Sequence, residues 1–260
     1  MKKNKKQKNM KQRINLLVLL FFTTLIFISC TTGLKTKKHE NQDNTWKELF
    51  DGKTLNGWKI LNQDWDNPDS KPDFYVKDGM IICNTSMDNK GGGYMVTDGT
   101  YANFILELDV KIDSTLNSGI QCRSQVWDKD TTTTFVAGNA EGTVNHPKWR
   151  RGYVWGYQVE IDPSERAWSG GLYEPGNRGW LVTLVGNEKK QNAFKQNAWN
   201  HFKVKMDGSK IQTWLNGVLI VDTVDEMSKS GFIGLQFHGA YKKEQSNKKS
   251  MWKNIRIKEL

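Results

Sequence analysis

Strict alternation of apolar and polar residues marks the stretch from Gly156 to Asp162. Its two sides are Tyr157, Val159 and Ile161, and Gln158, Glu160 and Asp162. A period of two predicts a β-strand with one face in a core and the other toward water. Two carboxylates and an amide share the polar face with no cation among them. Because like charges repel, we predict that this strand presents groups for use rather than for sheet stability.

Two further stretches, 119–123 and 234–238, show the same alternation. Their polar positions are Gln121 and Arg123 in the first, and Gln236 and His238 in the second. If the three strands are neighbours in one sheet, these side chains lie on a common face with Glu160. We therefore expect an Arg, a His and two carboxylates above a floor of amides.

The rest of the chain predicts more strands of this kind. Residues 104–112 alternate well, and the turn pairs Asp78-Gly79 and Asn216-Gly217 each separate two short runs. We find no sustained helical periodicity and no internal repeat in the sequence. Many short strands with turn signals predict one all-β domain, a β-sandwich, over residues 46–260.

Two long stretches without periodicity, 124–153 and 164–180, interrupt the strands. Insertions of this length in a compact domain are usually functional. The second stretch contains Arg166 and Arg178, and both are rich in aromatic residues. Four of these, Trp149, Trp168, Tyr173 and Trp180, are candidates for stacking on sugar rings, or alternatively for closing the ends of the sandwich.

The charge of the chain is unevenly placed. The formal net charge is +10, which by itself is typical of proteins that bind nucleic acid or anionic surfaces. Residues 1–30, however, hold seven Lys or Arg and no acid, and residues 31–40 add a net +2. Only +1 remains from Asn41 onward, so no nucleic-acid partner is predicted.

The first residues have the form of an export signal. A basic start precedes an apolar run at 14–28, which is short for a membrane span, and then Ser29-Cys30. A small residue before Cys resembles a lipobox, with Phe27 in place of the usual Leu. We predict a lipoprotein signal peptide at 1–29, a lipid on Cys30 with a flexible tether at 30–45, and export to the cell envelope, anchored in a membrane by that lipid. An ordinary signal peptide or an uncleaved anchor is the alternative.

The spacing of the remaining cysteines predicts no zinc site. Cys83 and Cys122 fall at apolar-facing strand positions, and we favour two buried free thiols over a disulfide, which export would permit. The Asp-rich loop at 64–73 lacks the alternating spacing of a calcium loop. No cofactor is predicted, and a structural or catalytic metal ion is left open.

Six segments, taken in order, carry a family resemblance. They are 50–58, 117–120, 156–162, 199–202, 214–217 and 254–258. Together they resemble the 3-keto-disaccharide hydrolase family, also described as 3-keto-glucoside-1,2-lyase/3-keto-2-hydroxyglucal hydratase domains, from Trp46 to Leu260. The resemblance implies a concanavalin-like jelly roll, a sugar oxidised to a ketone at C3, and an upstream oxidoreductase that makes this sugar. Many members read Glu-x-Gln where this chain has Gln158-Val-Glu160, so the resemblance does not assign the catalytic carboxylate.

The implied reaction suits the polar strand faces. A ketone at C3 acidifies the C2 proton, the resulting enolate expels the C1 substituent, and water adds to the double bond. Arg123 suits the stabilisation of the enolate, His238 can act as base or acid, and Glu160 or Asp162 would be its counterpart. The predicted substrate-binding residues are Gln121, Gln158, Gln236, Trp168, Tyr173 and Arg178.

Three other interpretations compete with this one. Arg123 and Glu160 would form a purely structural salt bridge in the first. In the second, Glu160 and Glu165 would be the carboxylates of a laminarinase-type retaining glycosidase, although Pro163 is expected to end the strand and turn Glu165 away. The third is a non-catalytic carbohydrate-binding module, since a jelly roll with aromatic loops does not prove activity.

Overall fold

The computed structural model describes residues 45–70, 72–136 and 144–260. The predicted signal peptide, the lipidated Cys30 and nearly all of the predicted tether lie outside the described residues. Strands, numbered here in chain order, make up almost all of the regular structure. The prediction of an all-β chain is confirmed. No helix among the described residues is both long enough and apolar enough to cross a membrane.

One sheet, the back sheet, has eight strands. Their bounds are β1 Lys47–Glu48, β3 Asp73–Lys77, β4 Met80–Asn84, β6 Phe104–Ile112, β15 Asn200–Asp207, β16 Lys210–Leu215, β17 Val218–Val224 and β19 Lys249–Glu259. The strand order is β17-β16-β15-β6-β19-β4-β3, with β1 also paired to β19. Every pairing in it is antiparallel.

The other sheet, the front sheet, has seven strands. Their bounds are β2 Trp58–Asn62, β5 Gly93–Thr97, β7 Ser118–Val126, β12 Val154–Ile161, β13 Leu172–Glu174, β14 Gly179–Val182 and β18 Phe232–Phe237. They run in the order β14-β13-β12-β7-β18-β5-β2. The three strands predicted to share a face are therefore direct neighbours at its centre: β12 beside β7, and β7 beside β18.

The remaining elements are short. Two small ladders pair β8 (Thr131–Thr132) with β11 (Lys148–Trp149) and β9 (Phe135–Val136) with β10 (Val144–Asn145). Helix α1 spans Glu188–Gln191, and a 3₁₀ turn spans Lys243–Gln245.

The core lies between the two sheets. Alternate residues of β6 and β15, such as Leu106 and Phe202, meet alternate residues of β7 and β12, such as Ile120 and Val159, and all four are fully buried. Burial of these apolar side chains on facing sheets is the main force that holds a sandwich together. Cys83 and Cys122 belong to this core as free, buried thiols, as predicted.

Local turn chemistry agrees with the sequence in the last third of the chain. Asn216 and Gly217, with φ of 49° and 82°, join β16 to β17. Positive φ at both central positions is the type I′ geometry that matches the twist of paired strands. The Asp78-Gly79 hairpin between β3 and β4 is confirmed in the same way.

The stretch from 164 to 180 is not the structureless loop that we predicted. Pro163 does follow the end of β12, but the chain returns and adds β13 and β14 to the edge of the front sheet. Gln158 pairs with Tyr173, and Tyr173 with Trp180. Tertiary pairing thus gives strand structure to a sequence with no alternation of its own.

A β-bulge interrupts β7 beside β12. Trp155 pairs with Gln125 and Tyr157 with Cys122, so Arg123 and Ser124 together face the single residue Gly156. Arg123 has a φ of 49°, and a Cβ on Gly156 would lie 2.7 Å from Ser124 Cα. A bulge re-aims the side chains around it, which decides the position of Arg123 below.

Candidate functional site

The outward face of the central front-sheet strands carries Gln121, Gln158 and Glu160, as the alternation predicts, but it is not open to water. Gln121, Gln158 and Glu160 are 0%, 2% and 4% exposed. Our expectation of a face exposed to water is wrong. Neighbouring side chains, Tyr173 and Trp180 among them, surround this face and leave only a pocket over it. A buried polar face is costly unless every group is hydrogen-bonded.

Glu160 is the central group of this face. Its Oε1 accepts from Asn117 Nδ2 at 2.7 Å and from Arg166 Nη2 at 3.5 Å, and its Oε2 accepts from Gln158 Nε2 at 2.9 Å. Burial raises the pKa of Glu160 above its usual value, while these donors act to lower it. The raised pKa makes the Glu160 carboxylate a stronger base than that of an exposed glutamate.

Arg166 reaches Glu160 from the turn that follows β12. Its Nε donates to Asp162 Oδ2 at 2.7 Å, and its guanidinium carbon lies 4.7 Å from the Trp168 ring and 5.0 Å from the Trp180 ring. These contacts fix a guanidinium that is still partly exposed to the pocket. Arg166 is thus the cation of this site.

Asp162 holds that turn together rather than lining the pocket. Its Oδ1 accepts from the backbone N–H and the hydroxyl of Ser164, and its Oδ2 accepts from Arg166. The side chain is buried and is absent from the pocket wall. The structure therefore brings Asp162 close to Glu160, as expected, but as the residue that orients Arg166.

A chain of buried hydrogen bonds leads to Glu160 from behind. Ser124 Oγ donates to Gln121 Oε1 at 2.7 Å, Gln121 Nε2 to Gln158 Oε1 at 2.5 Å, and Gln158 Nε2 to Glu160 Oε2. An ionised Glu160 can only accept, so Gln158 presents Nε2 to it, Gln158 Oε1 accepts from Gln121 Nε2, and Gln121 Oε1 is left to accept from the Ser124 hydroxyl. Both amides are thereby oriented so that Glu160 receives an N–H.

Gly119 makes room for this chain of amides. It pairs with Glu160 across β7 and β12, and a Cβ at Gly119 would lie 2.4 Å from Gln158 Cδ. Any larger residue at this position would displace the Gln158 amide.

His238 follows β18 and also borders the pocket. Burial lowers its pKa, so the ring is neutral near pH 7. Nδ1 lies 3.2 Å from the carbonyl of Gly239, which can only accept, so Nδ1 carries the proton and Nε2 is left as an acceptor. The Tyr241 ring contacts the imidazole edge to face at 5.6 Å between centroids.

These residues enclose a pocket of about 300 Å³, called here the reaction pocket. Its lining is Asn117, Gln158, Glu160, Arg166, Tyr173, Trp180, Gln236 and His238. Oε1 of Gln236 is buried without a hydrogen-bond partner in the described structure. Aromatic walls, a few convergent polar groups and a carboxyl with a raised pKa are the features of a small-molecule site.

Arg123 is not on this face, contrary to our prediction. The bulge turns its side chain away, and the guanidinium donates to the carbonyls of Ala102 and Gly208 and to Asn103 Oδ1. Ser124 takes the place on the polar face that alternation assigns to Arg123. The alternative of an Arg123–Glu160 salt bridge is excluded by the same contacts.

Arg178 also differs from its predicted place. It binds Glu174 and donates twice to Asp225, at 2.7 and 3.0 Å, and is absent from the wall of the reaction pocket. Trp168 supports the site indirectly, since it packs edge to face on Trp180 at 4.7 Å and beneath Arg166. Tyr173, a predicted substrate-binding residue, lines the pocket.

The carboxylate pair of a laminarinase-type glycosidase is not formed here. Glu165 is exposed and does not line the reaction pocket. The chain turns after Ile161, where β12 ends, as the position of Pro163 predicts. Within the described residues no group of three or more His, Cys, Asp or Glu is placed to hold a metal ion.

Sequence reasoning missed two residues that contact Glu160. Asn117 enters the sequence analysis only as the first residue of the family segment 117–120, and Arg166 only as one of two arginines in a long irregular stretch. The sequence holds one signal against our placement of Arg123. Gly156 lies inside a predicted strand, where glycine often marks a bulge. No comparable signal identifies Asn117 or Arg166.

Several known proteins are similar to this chain, and no curated protein matches it. A putative glycosyl hydrolase from Parabacteroides distasonis has 21% identity over 84% of this chain and 100% of its own, with a TM-score of 0.49. The carbohydrate-binding module CBM66 from Bacillus subtilis has 14% identity over 78% of this chain and 95% of its own, with a TM-score of 0.46. A Bacillus subtilis protein with a galectin-like fold has 10% identity over 83% and 98%, with a TM-score of 0.49.

A family model gives a broader match. It covers residues 45–258, which is nearly all of the described chain, and it bears out the resemblance carried by the six sequence segments. A carbohydrate-related function follows from this membership. The chain belongs to the family of 3-keto-alpha-glucoside-1,2-lyase-like domains.

Proposed function

We propose that this protein cleaves 3-keto-glycosides by removing the C2 proton, eliminating the C1 substituent and hydrating the product. The observation that carries the proposal is the environment of Glu160. This carboxyl is buried, has a raised pKa and receives only N–H donors, in an aromatic pocket whose size suits a sugar ring. Membership of the family supports the same reaction.

Glu160 is the base of the first step. The ketone at C3 acidifies the C2 proton, which passes to the carboxylate as the electron pair moves onto the C3 oxygen. A raised pKa brings the basicity of the carboxylate closer to what proton transfer at neutral pH requires. The C1–O bond then breaks, and the leaving oxygen takes the proton from Glu160.

Arg166 replaces Arg123 in our assignment of the cation. It is the guanidinium that lines the pocket beside Glu160, and Asp162, Trp168 and Trp180 fix it in place. A positioned cation beside the C3 oxygen stabilises the enolate, and such donors act most strongly where water is excluded. Asp162 is accordingly a positioning residue.

His238 serves the hydration step. Its neutral ring presents Nε2 as an acceptor, so it can take a proton from water as the oxygen adds to C1. The imidazolium then returns this proton to C2. The overall balance is one water consumed, with the free 3-keto sugar and the leaving alcohol released.

Product release from matched sugars tests the proposal. Purified protein is incubated with a 3-keto-glucoside and, separately, with the unoxidised glucoside, and the products are identified by NMR. We expect 3-ketoglucose from the oxidised substrate only, and its release to be about 10²–10⁴ slower with Glu160→Gln. Cleavage of the unoxidised glucoside would contradict the keto mechanism, and binding without cleavage of either would indicate a carbohydrate-binding module.

The cellular placement is also a proposal. We propose that the jelly-roll domain at 46–260 is exported behind the signal peptide and held in a membrane of the cell envelope through a lipid on Cys30, after a tether at 30–45. An upstream sugar C3 oxidoreductase would supply the substrate. Mass spectrometry of the mature N-terminus tests this, since a lipidated Cys30 is expected and an unmodified N-terminus beyond Cys30 would contradict it.

A further inference from the structure

The outward face of the back sheet carries an excess of positive charge. On four adjacent strands, β16, β15, β6 and β19, each acid that faces outward is already paired. These pairs are Glu107–Arg256, Asp109–His201 and Asp207–Lys205. The outward lysines of the same strands that form no ion pair within the described residues are Lys111, Lys203, Lys253 and Lys258. This surface is called here the basic face.

Indole rings lie among these free cations. Lys203 Nζ is 5.1 Å from the ring centroid of Trp214, and Lys253 Nζ is 4.2 Å from that of Trp199. Both indoles are partly exposed. Tryptophan favours the headgroup layer of a lipid bilayer, and clustered lysines favour its anionic lipids. The basic face thus combines two kinds of side chain that suit a membrane surface.

The chain enters the domain at the same face. Trp46 directly precedes β1, which pairs with β19, and its ring lies 4.5 Å from the guanidinium carbon of Arg256. The predicted tether at 30–45 can span about 50 Å when fully extended and about 20 Å on average as a flexible coil. A lipid on Cys30 would therefore keep the basic face close to the bilayer.

Tethering makes even a weakly binding surface effective. A short flexible linker gives an effective concentration on the order of millimolar. An affinity of the same order is then sufficient to keep the face on the membrane for about half of the time. The tether itself adds positive charge beside the lipid, at Lys35, Lys37 and Lys38.

We propose that the basic face binds the surface of an anionic phospholipid membrane, the one that holds the lipid of Cys30. The reaction pocket belongs to the other sheet, so it faces away from that membrane and stays open to dissolved sugars. The inference rests on the proposed lipid anchor. It is independent of the proposed reaction, in which the basic face takes no part.

The reactivity of lysines on vesicles tests the proposal. The lipidated full chain is inserted into the outer leaflet of vesicles of phosphatidylcholine, alone or with about 30% phosphatidylglycerol. Its lysines are acylated briefly, and the modification of each is measured by mass spectrometry. Lys203 and Lys253 report on the basic face, and Lys90 and Lys148, which line a cleft on the front-sheet side, are the internal controls.

On the anionic vesicles we expect acylation of Lys203 and Lys253 to fall about fivefold relative to the neutral vesicles, and to recover in about 0.5 M salt. Acylation of Lys90 and Lys148 should not change. Protection of Lys90 and Lys148 equal to that of Lys203 and Lys253, no protection at all, or the same protection on neutral vesicles would overturn the inference. The proposed reaction would stand in each case, because no turnover is measured.

A pair of double variants separates the basic face from the total charge of the protein. Lys203→Gln with Lys253→Gln should abolish most of the protection of Lys111 and Lys258 on anionic vesicles. Lys90→Gln with Lys148→Gln removes the same charge from the front-sheet side and should leave that protection unchanged. Equal losses in the two variants would overturn the inference. A chain purified without a lipid on Cys30 would overturn the anchor and the inference together, and again not the reaction.

Discussion

The outer faces of the two sheets have the same alternating pattern in the sequence but opposite surroundings in the structure. On the back sheet, Glu107 accepts from Arg256 at 2.6 Å and Asp109 meets His201 at 2.8 Å, all at the protein surface. On the front sheet, Glu160 occupies the equivalent outward position and is almost completely buried. Its closest donors are amides rather than a cation.

The difference in burial distinguishes an exposed protein surface from a catalytic site. Partly exposed ion pairs such as Glu107–Arg256 contribute about 1 kcal/mol or less. A buried carboxylate costs folding free energy unless it is fully satisfied. Glu160 is nevertheless surrounded by hydrogen-bonded amides, by the fixed guanidinium of Arg166 and by the space that Gly119 leaves for Gln158. Burial of an outward face, rather than alternation itself, identifies the functional surface.

The largest expected difference between the faces lies in catalysis. Glu160→Gln should lower kcat/KM for a 3-keto-glucoside by about 10²–10⁴, because the base is lost. Glu107→Gln makes the same chemical change on the back sheet and should leave kcat/KM within about twofold. Steady-state assays of the two purified variants measure both values. Equal losses of kcat/KM would contradict the assignment of the front-sheet face as the catalytic one.

Arg166 and Arg256 form the next matched pair. Arg166→Ala should lower kcat by about 10²–10³, since it removes a donor that acts on charge developing in the transition state. Arg256→Ala removes a cation of similar exposure from the back sheet and should leave kcat unchanged. Arg166→Lys is the second variant, since it keeps the positive charge but not the several N–H donors of the guanidinium. Full wild-type kcat in Arg166→Lys would show that the charge alone is sufficient and would contradict the role assigned to these donors.

The pattern of strands was largely predictable from the sequence, whereas the partners of the catalytic group were not. Some features depend only on residues that are close in sequence, and these can be predicted from it. They include the alternation in β6, β12 and β18 and the Asn216-Gly217 turn. The contact of Arg166 with Glu160 depends on how the chain turns after Pro163, where Ala167 has a φ of 54°. Such turns are set by tertiary packing.

The bulge in β7 shows the same limit more sharply. One extra residue exchanges Arg123 for Ser124 on the polar face, and every assignment based on period two fails from that point. Gly156 was the only residue that hinted at it. A misassigned catalytic arginine was the direct result.

Ser124 allows a smaller test of the front face. Ser124→Ala removes the hydroxyl that donates to Gln121 at the far end of the chain of hydrogen bonds, so the opposite orientation of both amides, with the Gln158 carbonyl toward a protonated Glu160, becomes easier to adopt. We expect the acidic limb of the pH profile of kcat/KM to move to higher pH, with a several-fold loss near neutrality. Ser124→Thr retains the hydroxyl and should restore the profile. A uniform loss at all pH values would indicate a structural role only.

The smallest expected effect concerns stability. Because burial raises the folded-state pKa of Glu160 above the ordinary 4.5, the folded protein binds more protons than the unfolded chain between these two values. The contribution of Glu160 to the free energy of unfolding therefore falls as pH rises above about 4.5. Relative to the wild type, Glu160→Gln should gain stability from pH 4 to pH 7 in thermal unfolding, whereas Glu107→Gln should show no such trend. A loss of stability over this range would mean that the donors outweigh burial.

Incorporation of solvent deuterium is the most direct test of the account. The wild type is incubated in D₂O with a 3-keto-glucoside, and the released 3-keto sugar is examined by NMR while turnover is still in progress. Elimination by Glu160 predicts deuterium at C2 of the product, formed faster than spontaneous exchange of the free sugar, and loss of this signal with Glu160→Gln. Release of 3-keto sugar that retains its C2 proton would contradict elimination and the role of Glu160 as the base.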